Sequence, residues 1–234
     1  MKPIDRCLIF SATYNEFNNI ETLIEKINQY SPESEILIID DNSPDGTGDL
    51  LKKIQSKYNK LHLIERKNKL GLDTAHKLAY EYALTNSFSK FITMDADLSH
   101  DPKEIPKMIN ILQDNAFVIG SRYIEGGDCD MSFYRRLISS LGNKFIKFIL
   151  QINSNEFTTS FRGFNLHFLK DFHLNKIESK GYSFFMETIY QINKLDFEII
   201  QIPITFRNRM QGKSKMPKIE LFRTLKNVLI LFFK

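Results

Sequence analysis

Two acidic clusters each follow a short apolar run, and this repeated arrangement leaves the chain few folds to adopt. Ile36-Leu37-Ile38-Ile39 leads into Asp40-Asp41-Asn42-Ser43-Pro44-Asp45-Gly46, and Phe91-Ile92-Thr93-Met94 leads into Asp95-Ala96-Asp97-Leu98-Ser99-His100. A short apolar run bounded by turn residues has the pattern of a buried parallel strand, and open α/β sheets bind ligands just beyond the carboxyl ends of such strands. Carboxylates gathered there are costly without positive partners. A divalent cation, with the hydroxyl and base donors of a nucleotide, answers that need most simply.

The surrounding pattern alternates. Strands are predicted over residues 8–11, 36–39, 61–65, 91–94 and 117–120. Between them lie a helix capped by Asn18 or Asn19 with Ile20, Leu23, Ile24 and Ile27 on its apolar face, a helix carrying Leu50, Leu51 and Ile54, and helices over 74–84 and 104–112. This alternation indicates βαβ units with right-handed crossovers, hence an α/β fold with a mostly parallel central sheet. The second half predicts helices over 132–150 and 183–194, one or two strands within 197–206 interrupted by Pro203, and a closing helix from Lys218. The last turns of that helix, Val228 to Phe233, are apolar all round, so it must bury itself against protein or lipid.

With 234 residues, no linker and no repeat, a single domain over 1–234 is expected, its 218–234 segment an amphipathic or apolar helix. A formal charge of +4 spread along the chain does not indicate nucleic acid, but suits a phosphate-bearing or anionic-lipid partner. Cys7 and Cys129 lack metal spacing and form no disulfide framework. Without a signal-peptide pattern or an apolar stretch of about 20 residues, a cytoplasmic protein, soluble or peripheral at a membrane, is expected.

Asp95 and Asp97, two residues apart, can reach one metal from a strand end. Hard oxygen ligands favour magnesium or manganese, which keep waters and hold substrate phosphates, so a nucleoside diphosphate is the implied ligand. Neither the G-x-x-x-x-G-K-[ST] loop nor a dinucleotide glycine fingerprint is present, which removes support for ATPase and dehydrogenase functions. Positive charge is available from Arg122, Arg135, Arg136, Arg162, Arg207 and Arg209, and from the Gly212-Lys213-Ser214-Lys215 turn, whose composition suits a loop closing over phosphates. None of the five histidines has zinc spacing. His100, beside the acidic pair, is expected to be structural.

Taken in order, Thr13-Tyr14-Asn15-Glu16, Asp40 through Thr47, Lys69-Leu70-Gly71-Leu72, Met94 through Pro102, Gly120-Ser121-Arg122-Tyr123, Arg135-Arg136-Leu137-Ile138-Ser139, Thr158 through Arg162, Gly181-Tyr182-Ser183-Phe184, Ile202 through Phe206 and Arg209 through Lys215 resemble dolichyl-phosphate mannose synthase, a family 2 glycosyltransferase. The resemblance covers nearly the whole chain and implies a GT-A fold. It also implies inverting transfer of a sugar, typically mannose from GDP-mannose, to a polyprenyl or dolichyl phosphate. By the same resemblance Ala12, Tyr14, Glu16, Ile39 and Asp41 line the nucleotide pocket, and Asp95, Ala96, Asp97 and Ser99 form the diphosphate and metal site, with Asp97 and Ser99 on the ion. Arg122, Arg209 and Lys215 then serve the phosphates, and on charge grounds Arg136 joins Arg122 at the acceptor phosphate. A phosphate acceptor, with a second pKa near about 6, needs no strong base, which agrees with the lack of an obvious catalytic histidine.

The chain departs from the family at Ala12, usually proline, at Asp73, usually glycine, and over 126–132. An extra carboxylate at Asp73 would bond sugar or ribose hydroxyls or repel phosphate, so the sugar stays open. Nor does the sequence show the hydrophobic C-terminal extension of some family members, so it is expected to reach its lipid through a surface helix or a membrane-anchoring partner. Two other functions remain: transfer to a glycan or protein hydroxyl, and a non-catalytic partner that binds nucleotide sugar.

Overall fold

The computed structural model describes residues 5–207 and 219–233. Its centre is a seven-stranded sheet ordered β3-β2-β1-β4-β7-β5-β8, built from β1 (Cys7–Thr13), β2 (Glu35–Asp40), β3 (Leu61–Glu65), β4 (Lys90–Thr93), β5 (Phe117–Ser121), β7 (Arg162–Asn165) and β8 (Ile200–Pro203). All neighbours pair in parallel except β7, which runs antiparallel to both β4 and β5. A short second sheet joins β6 (Asp128–Cys129) to β9 (Thr205–Phe206).

Side chains alternate across the strands, so each apolar run feeds two cores. Leu8, Phe10, Leu37, Ile39, Phe91, Phe117 and Ile119 point to one face, covered by α3 (Leu72–Thr85), α6 (Tyr182–Lys194) and α7 (Ile219–Phe232). Cys7, Ile9, Ile36, Ile38, Ile92 and Val118 point to the other, covered by α1 (Ile20–Tyr30), α2 (Thr47–Gln55) and α4 (Ile105–Ile111). The expected elements therefore form, with corrections at their ends. Asn19 stands at the start of α1, but its side chain donates to Glu16 Oε2 (2.8 Å) and caps no helix N–H. α4 begins as a 3-10 turn over Pro102–Glu104, whose Lys103 N–H is held by Asp101. The strands β6 and β7 were not expected.

α5 (Phe133–Leu150) contains Arg135, Arg136, Lys144 and Lys147 and no acidic residue. It fully buries only Asn143 and Ile146, whereas Phe133, Tyr134, Leu137, Ile138, Leu141, Phe145 and Phe148 are exposed. α7 packs on α5 and α6 through Val228 and Leu231 and leaves Leu229, Ile230, Phe232 and Phe233 outside. The apolar C-terminal turns are thus buried along one face only. Among the described residues no helix is long and apolar enough to cross a membrane.

Candidate active site

Both acidic clusters lie at the carboxyl edge of the sheet, but their carboxylates have different tasks. Asp40 accepts from Thr13 Oγ1 (2.8 Å), Ser43 N (2.9 Å) and Ser43 Oγ (2.5 Å), and Asp45 accepts from Thr47 N, Thr47 Oγ1 and Phe17 N. Burial alone would raise the Asp45 pKa, and these donors hold it below its ordinary value. These two residues shape the loop. Asp41, next to β2, receives Arg66 Nε at 2.5 Å and Leu70 N at 3.2 Å. Arg66 continues to Thr74 Oγ1 (2.6 Å) and Gly71 O (3.2 Å), so the guanidinium ties Asp41 to the first turn of α3.

The other residues assigned to the nucleotide pocket lie on β1, on β2 and in the loop after β1. Ala12 pairs with Ile39 across β1 and β2, and the Asp41 N–H donates to Thr13 O. Tyr14 is half-buried, with Lys69 Nζ 3.9 Å from its ring centroid. Glu16 donates its N–H to Thr47 Oγ1 and accepts from Asn19.

The second cluster sits in a turn, not on the strand, because β4 ends at Thr93 and Leu98 adopts φ +62°. Asp95 Oδ1 receives Ser160 Oγ at 2.5 Å, and the Asp95 N–H donates to His100 Nδ1 at 3.1 Å. With Nδ1 accepting, the imidazole proton lies on Nε2, 3.1 Å from Thr159 Oγ1. Burial lowers the His100 pKa against the pull of Asp95 and Asp97, so the ring is neutral near pH 7, and it stacks on Phe161. His100 thus bonds to Asp95 on one side and Thr159 on the other.

Asp97 and Ser99 are buried, and Ala96 between Asp95 and Asp97 is too. Asp97 Oδ1 accepts Ser99 N (3.0 Å), while Ser99 Oγ, fully buried, has no hydrogen-bond partner among the described residues. An orphaned hydroxyl beside a buried carboxylate fits a hard cation, for which oxygen donors are the right chemistry. The described residues contain no group of three or more His, Cys, Asp or Glu able to enclose a metal. An ion here would draw on water and on a bound diphosphate as well, the habit of magnesium and manganese.

Arg122, just past β5, is buried and forms a bidentate pair with Glu156 (Nε to Oε2 2.7 Å, Nη2 to Oε1 2.8 Å), with Thr158 Oγ1 at 3.1 Å. Burial alone would lower the Arg122 pKa and raise that of Glu156. Their mutual attraction prevails in both, so both stay charged. Gly127 packs on this corner so closely that a Cβ would lie 2.6 Å from Ser121 O. Arg136, on α5, is exposed and bonds Asp128 (2.9 Å). Arg162, counted among the phosphate-facing charges, instead turns inward. It donates to Thr159 O, Phe157 O and Phe185 O within 2.9 Å, and burial lowers its pKa to about 9, still protonated at neutral pH.

Arg209, Lys215 and the Gly212 to Lys215 turn lie outside the described residues. The Arg207 N–H, two residues before Arg209, donates to Ser99 O at 3.0 Å. Sequence inspection missed Arg66 and Glu156. Arg66 had a signal, since β2 and β3 pair Asp40 with Glu65 and so set Asp41 beside Arg66.

The family model for glycosyl transferase family 2 matches residues 9–172, most of the sheet and both acidic loops. The chain belongs to glycosyl transferase family 2. This family 2 enzyme is 32% identical to a polyprenol monophosphomannose synthase of Mycolicibacterium smegmatis, over 92% of this chain and 83% of the relative. It is also 32% identical to an undecaprenyl-phosphate mannosyltransferase of Micrococcus luteus, over 90% of this chain and 87% of that one. Among solved structures it resembles glucosyl-3-phosphoglycerate synthase of Mycobacterium tuberculosis in complex with Mn2+, UDP and glucosyl-3-phosphoglycerate (TM-score 0.68, 15% identity, 98% of this chain and 81% of that one). It also resembles a mannosyltransferase of Pyrobaculum calidifontis bound to GDP-mannose and Mn2+ (TM-score 0.58, 15% identity, 97% and 73%). The family 2 glycosyltransferase thus has the GT-A fold, with a mostly parallel sheet flanked by helices.

Proposed function

We propose that this glycosyltransferase moves mannose from GDP-mannose to a polyprenyl or dolichyl phosphate, inverting the anomeric carbon, as one catalytic unit spanning 1–234. The observation that carries the proposal is the Asp97–Ser99 turn, a buried carboxylate beside a buried hydroxyl that has no partner among the described residues. The likeness to two polyprenyl-phosphate mannosyltransferases supports the donor sugar and the acceptor. Asp97 and Ser99 hold the ion, Mg2+ or Mn2+, with Asp95 and Ala96 lining the diphosphate side. When bound, that ion supplies positive charge to the departing nucleoside diphosphate.

The chain's own residues then align the two partners. Ala12, Tyr14, Glu16, Ile39 and Asp41 bind the nucleotide. Arg122 commits Nε and Nη2 to Glu156 and offers Nη1 to the acceptor phosphate, with Arg136 further out on α5. Arg209 and Lys215, which follow Arg207 in sequence, supply positive charge to the donor phosphates. The acceptor oxygen is already largely anionic near pH 7, so no residue needs to remove its proton. His100 is unsuited to that role, since Nδ1 is occupied by the Asp95 N–H.

The acid-free, apolar outer face of α5, continued by α7, supports docking on an anionic membrane surface, at the cytoplasmic side or through a membrane-anchoring partner. Incubating purified protein with Mn2+, a panel of nucleotide sugars and one polyprenyl phosphate tests the function. Lipid-linked mannose formed from GDP-mannose is expected. No lipid-linked product, or transfer to a glycan hydroxyl instead, would refute it.

A further inference from the structure

We infer that Asp73 is a positioning residue: from the first turn of α3 it fixes the glycine that opens α6, and so sets the wall of the donor pocket. Asp73 is buried, and a carboxylate taken from water requires a donor. Its Oδ1 accepts the Gly181 N–H at 3.3 Å. Gly181 has φ +59° and ψ −136°, a conformation essentially reserved for glycine, so the turn into α6 depends on outside contacts for its shape.

Asp73 heads a ladder. Lys77, four residues on, donates from Nζ to Ile177 O (2.6 Å), and Glu81, four further, accepts from Asn175 Nδ2. Residues four apart share one helix face, so this stripe of α3 clasps the segment from Asn175 to Gly181. From the far side, Glu187 on α6 accepts the Ser179 N–H at 2.8 Å.

The clasp reaches the site through two connections. Leu70 and Gly71, just before Asp73, carry the N–H given to Asp41 and the carbonyl taken by Arg66. At the end of the first α6 turn, Phe185 O receives Arg162, which also holds Thr159 O, next to the Ser160 that bonds Asp95. The first turn of α6 is thus suspended between the nucleotide-side and metal-side carboxylates, with Asp73 as its fixing point at the nucleotide end. This role needs an acceptor oxygen at Asp73, not a charge on the ligand. The inference rests on the donor binding at Asp41 and Asp97.

The test compares Asp73→Gly with Asp73→Asn, whose amide oxygen can still accept the Gly181 N–H. For Asp73→Gly, KM for the nucleotide sugar that the wild type uses should rise about fivefold to tenfold with kcat within about twofold, the scale of one lost hydrogen bond. Amide exchange across 175–183 should quicken in the same variant. Asp73→Asn should restore both measurements to near wild type. An unchanged KM or unchanged exchange in Asp73→Gly overturns the inference, as does an Asp73→Asn variant as impaired as Asp73→Gly, because a charge on the ligand is then what matters. If the wild type transfers no sugar from any donor, the proposed function fails, and the exchange comparison still decides whether the clasp exists.

Discussion

At Asp97 one carboxylate serves its own turn, by accepting the Ser99 N–H, and, under the proposed function, the ion beyond it. Replacing it with alanine removes the contact to the Ser99 N–H, worth about 1 kcal/mol, and, under the proposed function, a ligand of the ion. Asp97→Ala should therefore lower kcat at least about a hundredfold while unfolding free energy falls by no more than about 1.5 kcal/mol. Steady-state turnover and a urea titration check the pair of outcomes, and a near-normal rate would remove the metal from the mechanism. Glu156 behaves in the opposite way, because its alanine variant leaves the Arg122 charge buried and unpaired. Glu156→Ala should cost about 3–5 kcal/mol in the same titration. The two cases also show what single residues reveal in a sequence. Asp97 is legible because it stands directly after an apolar run. Glu156 is not, because its partner lies 34 residues earlier and the two meet only once β5 and β7 are paired.

Among the elements, the first five strands and their helices were legible because apolar alternation and buried runs leave a local pattern. β7 left none. Arg162-Gly163-Phe164-Asn165 places a buried cation and a glycine in the middle of the sheet, and the cation is satisfied by carbonyls from Phe157, Thr159 and Phe185. Gly163 fits only because it lacks a Cβ, which would come within 2.8 Å of Leu112 and Val118. α7 was legible as apolar but not in its division of labour. Val228 and Leu231 are core residues, so removing 219–234 should destabilise the protein by about 3–6 kcal/mol, from two buried aliphatic side chains. The exposed residues should act differently. Replacing Phe133, Tyr134 and Phe148 together with serine should leave the urea midpoint nearly unchanged and sharply reduce sedimentation with vesicles containing anionic lipid. Equal sedimentation of wild type and variant would exclude α5 as the membrane face.

For the molecule as a whole, stability depends on a sheet covered on both faces, and one covering contains an ionisable group that must stay neutral. His76, on α3, lies within the aromatic packing of Phe10, Phe184 and Phe185, with ring centroids 5.0 to 5.7 Å away. Burial, reinforced by the nearby Arg162 charge, lowers its pKa to about 3. An unfolded chain takes a proton on this ring below about pH 6.5, whereas the folded core refuses one until about pH 3. Between those limits the unfolded state binds more protons, so stability falls as pH falls, with a slope approaching about 1.4 kcal/mol per pH unit. His100, also depressed by burial, adds a slope of the same sign, and Glu156, held below its ordinary value, adds its own only below about pH 4.3. The interval from pH 6.5 to 5 thus isolates the histidines from the carboxylates. Unfolding titrations across it should show a clear loss of stability in the wild type and a markedly shallower one in His76→Phe, which keeps an aromatic ring and removes the titration. Parallel profiles for the two proteins would mean that His76 is protonated in the folded state, and that the aromatic core is open to water around it.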